Sequence, residues 1–139
     1  MAAHDEARRL LAKAAEDEYV LGSLLPDPAA PDSMIGFHAQ QAAEKILKAA
    51  LFLAGAEPPR THNLAALLDL ARDSKVRLPH DAGELRWLTP YAVLYRYDAG
   101  PADDDVPLDR EKVAGQIRSL RAWLERRLET KTAKKHGPC

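Results

Sequence analysis

The sequence predicts an all-α protein, an up-and-down bundle of four to five helices. Ala, Leu, Glu, Arg and Lys dominate the composition, whereas the strand-favouring residues Val, Ile and Thr are few. Apolar residues recur at three- and four-residue steps along most of the chain. The links between these periodic segments are short and rich in Pro, Gly and Asp. Amphipathic helices joined by short links bury their apolar faces against one another, which gives a bundle.

The first two predicted helices span residues 3–25 and 33–54. Their boundaries follow from residues that either cannot continue a helix or satisfy its free end groups. These residues are Pro26, Pro28 and Pro31 after the first helix, Asp32 or Ser33 as the N-cap of the second, and Gly55, Pro58 and Pro59 after it. The second helix has the strongest helical pattern in the chain.

Three further helical segments are predicted. The third helix begins after Asn63, a good N-cap, and reaches Arg72. A fourth segment covers residues 85–97 and bends at Pro90. The last helix covers residues 108–128, with acidic residues in its first turn and basic residues near its end, as the helix dipole favours.

The composition predicts one domain in residues 1–130 and a disordered tail in residues 131–139. The chain has 139 residues, a net charge of −1 and one cysteine, Cys139, so a disulfide framework is excluded and global charge does not indicate nucleic acid. The sequence has neither an apolar run long enough to cross a membrane nor the apolar stretch of a signal peptide. We therefore expect a cytoplasmic protein without a membrane association.

The second helix carries a polar stripe opposite a wide apolar arc. The stripe consists of Gln41, Glu44, Lys45 and Lys48. Phe37 and Phe52 flank it, so the stripe is expected to be partly covered. One interpretation is an i,i+4 ion pair between Glu44 and Lys48 on the helix surface. The other is that the stripe faces a partner subunit or a ligand groove.

Three segments resemble the HEPN domain family. They are FHAQQAAEKILKAALFLAG, PPRTHNLAALLDL and LTPYAVLYRYD, which occur in the order and spacing of that family, and the resemblance spans residues 6–128. It implies a helical bundle that usually forms a homodimer. It also implies two functional classes: metal-independent ribonucleases, often toxins, and non-catalytic partners of small nucleotidyltransferases of the MNT type, which are proposed to bind nucleotide or substrate.

The ribonuclease class depends on an arginine followed, after four to six residues, by a histidine. Arg96 stands where the family's arginine falls, but Pro101, Ala102 and Asp103 occupy the positions required of the histidine. No other Arg–His pair in the sequence has that spacing. The residue types needed to activate a ribose hydroxyl and stabilise phosphate charge are therefore incomplete. Tyr97 or Asp98 would have to act as an atypical helper.

Several residues remain candidates for ligand binding. Arg96, between two tyrosines, could stack on a base and pair with a phosphate, or form a structural salt bridge with Glu44, with Asp98 or across a dimer interface. His62, at a helix start, could meet a phosphate or a carboxylate, or orient the turn by hydrogen bonding. The full set is Arg96, Tyr97, Lys45, Lys48, His62, Glu44 and Gln41. No metal site or cofactor is expected, because His38 has no paired ligand and the aspartates at residues 103–105 suit a solvated loop.

The function that these observations favour is a non-catalytic, nucleotide- or nucleic-acid-associated module that works with a nucleotidyltransferase, as in a toxin–antitoxin system. The sequence contains no phosphate-cradling glycine motif and no paired aspartates after a Gly-Ser turn, so it is not itself that nucleotidyltransferase. Two alternatives remain open. One is a ribonuclease that uses Arg96 with an atypical helper, and the other is a purely structural, dimeric interaction protein.

Overall fold

The computed structural model describes residues 2–94 and 108–135, and within them the protein is a bundle of α-helices without strands. Five α-helices and one 3₁₀ helix follow one another along the chain. They are α1 (Ala2–Leu24), α2 (Asp32–Leu53), α3 (Leu64–Asp73), the 3₁₀ helix (Ala82–Leu88), α4 (Tyr91–Leu94) and α5 (Arg110–Lys135). The predicted all-α fold class is confirmed.

Helix α2 lies at the centre of the bundle and packs against α1, α3, α4, α5 and the 3₁₀ helix. Thirteen of its 22 residues are buried, and they include Gln40 and Glu44 as well as the apolar arc. Helix α1 packs along α2 with small side chains on both helices, which allows a close approach. The buried alanines are Ala7 and Ala14 of α1 and Ala39, Ala42, Ala43, Ala49 and Ala50 of α2.

The structure confirms the predicted C-terminal end of α2 but not its predicted N-cap. Gly55 has a φ of +80°, and the backbone N–H of Ala56 donates to the Leu51 carbonyl, so the predicted glycine stop is confirmed. At the start, Pro31 occupies the N-cap position and no side chain caps the helix, so the prediction that Asp32 or Ser33 is the N-cap is wrong. Asp32 is instead the first helical residue, and its carboxylate accepts hydrogen bonds from Leu108 N and Arg110 Nε.

The segment around Pro90 divides into two short helices, as the predicted bend requires. The 3₁₀ helix ends at Leu88, and α4 begins at Tyr91. The ring of Tyr91 lies so close to α2 that a Cβ at Gly36 would overlap it. Gly36 therefore allows α4 to dock on α2.

The last helix is longer than predicted, because α5 continues to Lys135 rather than ending near Leu128. The polar run after Leu128 has no helix-breaking residue before Gly137. Among the described residues, no helix combines the length and hydrophobicity that a bilayer crossing requires.

Candidate functional site

The polar stripe of α2 is covered by residues from two other parts of the chain. Asp17 of α1 approaches it from one side, and His62, just before α3, approaches it from the other. All four predicted stripe residues form hydrogen bonds inside the chain. The stripe is therefore divided into two polar clusters, one around Glu44 and one around Asp17.

The Glu44 cluster consists of Gln40, Glu44, Lys48 and His62. Glu44 Oε1 accepts from Gln40 Nε2 at 3.1 Å and from His62 Nδ1 at 2.9 Å. Its Oε2 accepts from Lys48 Nζ at 3.0 Å, so the i,i+4 pair that the spacing predicts is present. The Glu44 side chain is 8% exposed, which leaves the carboxylate almost enclosed by its own donors.

The electrostatics of the cluster follow from those donors. Burial favours the neutral form of Glu44, but the hydrogen bonds from His62, Lys48 and Gln40, with the charge of Lys48, outweigh it and lower the pKa of Glu44. The carboxylate is therefore charged at neutral pH and is committed to donors of the same chain. A carboxylate with a lowered pKa that already accepts three hydrogen bonds is a weak proton acceptor.

His62 is held in place through its backbone as well as its ring. Gln40 Nε2 also donates to the His62 carbonyl at 3.0 Å, and Gln40 is completely buried. The next residue, Asn63, accepts from Ala65 N and Ala66 N, which confirms the predicted N-cap of α3. The THN segment thus joins the start of α3 to the middle of α2.

A side chain from the LTPY segment completes the anchoring of α3. Thr89 Oγ1, just after the 3₁₀ helix, accepts from the backbone N–H of Leu64 at 3.0 Å. This hydrogen bond satisfies one of the free amides in the first turn of α3. The three segments on which the family resemblance depends are therefore in direct contact with one another.

The Asp17 cluster joins α1 to α2 and consists of Asp17, His38 and Lys45. Asp17 Oδ1 lies 3.2 Å from His38 Nδ1, and its Oδ2 lies 2.5 Å from Lys45 Nζ. The three side chains are between 14% and 25% exposed, so the cluster is half-buried. Lys45 is neutralised by Asp17, as Lys48 is by Glu44, so neither lysine presents an uncompensated charge to a phosphate.

The predicted site residues therefore fall into three groups. Gln41, Glu44, Lys45 and Lys48 stabilise contacts within the chain, and Gln41 Nε2 donates to Gln40 Oε1 at 2.6 Å. His62 belongs to the same network, but its side chain is 62% exposed and remains accessible from solvent. Arg96 and Tyr97, with the proposed helper Asp98, lie outside the described residues, and so do the aspartates at 103–105.

Three residues of these clusters, Gln40, Asp17 and His38, were not among the predicted site residues. Gln40 lies inside the apolar arc of α2, and its spacing of four residues from Glu44 was a usable signal for a buried pair. Asp17 lies in a run of three acidic residues on α1, and nothing in that run distinguishes the one that meets α2. Within residues 2–94 and 108–135, no group of three His, Cys, Asp or Glu side chains is placed to hold a metal ion.

Comparison with known protein families gives a match over most of the chain. The model of a family described as the HEPN domain matches residues 31–127, from the start of α2 into α5. Helix α1 lies outside the matched range. A search of curated proteins and a search of solved structures each gave no match to the chain.

Proposed function

The chain belongs to the HEPN domain family, and from that premise we propose that it is a non-catalytic member that associates with nucleotide or RNA. In this proposal it works beside a nucleotidyltransferase of the MNT type, in a toxin–antitoxin or related system, as a homodimer. The active chemistry belongs to the partner, and this chain supplies the bundle that binds the ligand and the partner.

The observation that carries the proposal is the missing histidine after Arg96. The three positions where it would have to stand hold Pro101, Ala102 and Asp103, none of which can exchange a proton near neutral pH in the manner of an imidazole. Metal-independent RNA cleavage needs a group that takes the proton from the ribose hydroxyl and another that stabilises the phosphate charge. An arginine alone supplies only the second.

The described histidines near the polar stripe do not replace the missing group. The Nδ1 of His62 is committed to buried Glu44, and the Nδ1 of His38 is committed to Asp17. Both hydrogen bonds fix the ring between helices of the same chain. This arrangement supports a positioning role for the two imidazoles and a binding role for the exposed face of His62.

The first experiment measures RNA cleavage and ligand binding with the same preparations. Purified wild-type protein and an Arg96→Ala variant are incubated with labelled single-stranded RNA in the presence of a metal chelator. They are then titrated with ATP, AMP and the same RNA. We expect intact RNA with both proteins and saturable binding of at least one ligand to the wild type. Cleavage that is present in the wild type and lost in Arg96→Ala would overturn the non-catalytic assignment.

The partner is tested separately, by determining whether a neighbouring gene encodes a small nucleotidyltransferase and by co-expressing that protein with this chain. We expect the two proteins to co-purify and to elute together from a sizing column, with a mass that contains two copies of the present chain. If the chain elutes alone and binds neither nucleotide nor RNA, the proposed function is wrong and a purely structural role replaces it.

A further inference from the structure

An open groove lies between α1 and α5, and its volume is about 650 Å³. Its floor is apolar and largely buried, because Leu11 of α1 is 8% exposed and Leu128 of α5 is 6% exposed. The other lining residues are Arg8, Ala12 and Ala15 of α1 and Arg121, Glu125 and Glu129 of α5. An apolar floor with charged groups on its walls is typical of a binding surface.

The groove exists because α1 packs along α2 and meets α5 over a much smaller area. Arg121 joins the two helices. Its guanidinium pairs with Glu18, and its Nη2 donates to the Leu11 carbonyl at 2.8 Å. Ala12 and Ala15 line the space beside this contact, and their side chains are too small to fill it.

The α1 wall of the groove continues as an exposed row of residues. Ala12, Ala15 and Tyr19 are spaced by three and four residues, so they lie on one face of the helix. All three are exposed, and Tyr19 is 78% exposed. The buried residues of α1 repeat at the same steps, and α1 packs on α2. The exposed row therefore has the spacing of a helix–helix contact, and a large aromatic side chain extends it.

The α5 wall of the groove is acidic. Glu125 and Glu129 are exposed carboxylates one helical turn apart, whereas Arg121 is already paired with Glu18. Burial, followed by the charges of Glu125 and Asp17, raises the pKa of Glu18. The ion pair with Arg121 opposes this shift but does not cancel it. Negative charge at this wall is thus incompletely compensated, and a cation placed beside it is stabilised.

We propose that this groove binds an amphipathic helix of another protein, with large apolar side chains on one face and Lys or Arg along one edge. The apolar face packs on Leu11, Leu128 and the two alanines, and the basic edge pairs with Glu125 and Glu129. The inference does not depend on the binding of nucleotide or RNA. Helix α1, which forms half of the groove, also lies outside the residues that the family model matches.

Neither a second copy of α1 nor a polyanion complements the groove as well. The exposed row of a second α1 offers Ala12, Ala15 and one large side chain, Tyr19. Alanines placed opposite alanines leave space in the groove, and the atoms that line a void lose their dispersion contacts. Phosphates would be repelled by the carboxylates of the α5 wall.

The experiment uses synthetic peptides and the full chain. The probe is a labelled peptide of about 14 residues, or about four helical turns, with Leu at every third or fourth position and Lys along one edge. A second peptide carries Glu in place of every Lys, and a third has the first composition in scrambled order. By fluorescence anisotropy, we expect saturable binding of the first peptide and little binding of the other two.

Variants of the chain locate the binding. Glu125→Gln/Glu129→Gln should bind the Lys peptide about 3- to 10-fold more weakly, because exposed ion pairs are individually weak. Glu111→Gln, an exposed carboxylate at the start of α5, is the matched control and should bind normally.

The apolar part of the groove is tested by filling it. Ala15→Gln places a longer side chain in the groove and should weaken binding at least about 10-fold. Ala3→Gln, an exposed position on another face of α1, is its control. Because Ala15 and Ala3 are both exposed, we expect both variants to fold, and unchanged unfolding midpoints check this.

Four outcomes would overturn the inference. Wild-type protein that does not bind the Lys peptide has no groove of this specificity. Equal affinity for the Lys and Glu peptides shows that the acidic wall selects nothing. Unchanged affinity in Ala15→Gln means that the peptide binds elsewhere. A wild-type mass that falls to that of a monomer in Ala15→Gln, measured without peptide, makes the groove an interface between copies of this chain. The proposed function is unaffected by the first three results, because the experiment contains neither nucleotide nor nucleotidyltransferase.

Discussion

Two largely buried glutamates at helix seams, Glu44 and Glu18, have pKa values shifted in opposite directions. Glu44 lies between α2 and the start of α3, with a side chain that is 8% exposed, and its pKa is lowered. Glu18 lies between α1 and α5 with 17% exposure, and its pKa is raised. Burial penalises both carboxylates, so the difference arises from their neighbours.

The number and sign of those neighbours account for the difference. Three groups of the same chain donate to Glu44, whereas Arg121 is the ion-pair partner of Glu18, at 2.5 Å. Glu125 and Asp17 add like charge beside Glu18 and raise its pKa further. A buried carboxylate stabilises a fold when its hydrogen bonds are complete, and it is close to neutral or costly when they are not. The carboxylate at the α2–α3 seam is thus better compensated by its neighbours than the one at the α1–α5 seam.

The largest change in stability is expected when the carboxylates of Glu44 and Glu18 are removed one at a time. Glu44→Ala leaves completely buried Gln40 with an unsatisfied donor and Lys48 without its counter-charge. We expect the free energy of unfolding to fall by about 2–4 kcal/mol. Glu18→Ala should lower it by about 1 kcal/mol or less. Urea unfolding of the two variants measures both values, and equal losses would contradict the comparison.

A smaller effect is expected from the partly exposed donor of the Glu44 cluster. His62→Ala removes one hydrogen bond to Glu44 but leaves Gln40 and Lys48, so we expect a loss of about 1 kcal/mol. Arg60→Ala, two residues away and exposed, is the matched control and should change the stability by less than about 0.5 kcal/mol. A loss with Arg60→Ala as large as with His62→Ala would show that the loop, and not the hydrogen bond, carries the effect.

The two glutamates should also give stability profiles of opposite sign against pH. The lowered pKa of Glu44 gives stability that is present above its ordinary value of 4.5 and lost as the pH falls through the folded-state pKa. The raised pKa of Glu18 gives a penalty that is absent below 4.5 and grows as the pH rises through its folded-state pKa.

Unfolding of two neutral isosteres measures this difference. Relative to wild type, Glu44→Gln should be most destabilised at neutral pH, and the difference should shrink in acid. Glu18→Gln should gain stability relative to wild type as the pH rises. Unfolding midpoints from neutral pH to below 4.5 give both profiles, and parallel curves would refute the assignment of opposite shifts.

The sequence predicted local features of these seams and missed those that depend on long-range contacts. The Glu44–Lys48 pair, the Asn63 cap and the Gly55 stop each follow from residues within one or two turns, and all three are confirmed. His62 and Glu44 are 18 residues apart and are separated by the segment that contains Pro58 and Pro59. The helical periodicity of the sequence does not predict a contact between residues on either side of such a segment. The contact of Asp17 with Lys45 crosses 28 residues.

The same limit applies to Asp32. Aspartate is a favourable N-cap residue. The Asp32 carboxylate, however, accepts a hydrogen bond from Arg110 of α5, 78 residues further along the chain, and does not cap α2. Local propensity predicts helices and their ends well because the competing interactions are local. Local propensity does not predict which of two polar groups a side chain will hydrogen-bond with when one of those groups belongs to another helix.

The smallest change in stability is expected when Glu18 is kept and a charged neighbour is substituted. Glu125→Gln removes like charge beside Glu18 while Arg121 is retained, so the pKa of Glu18 should move back toward its ordinary value. The stability of the fold at neutral pH should rise by a few tenths of a kcal/mol, because less repulsion opposes the α1–α5 ion pair. Glu129→Gln, one turn further along α5 and not a contributor to the Glu18 shift, is the control. A gain in Glu125→Gln that survives in a Glu18→Gln background would mean that the repulsion acts on another group, since coupling between the two positions should vanish once Glu18 is neutral.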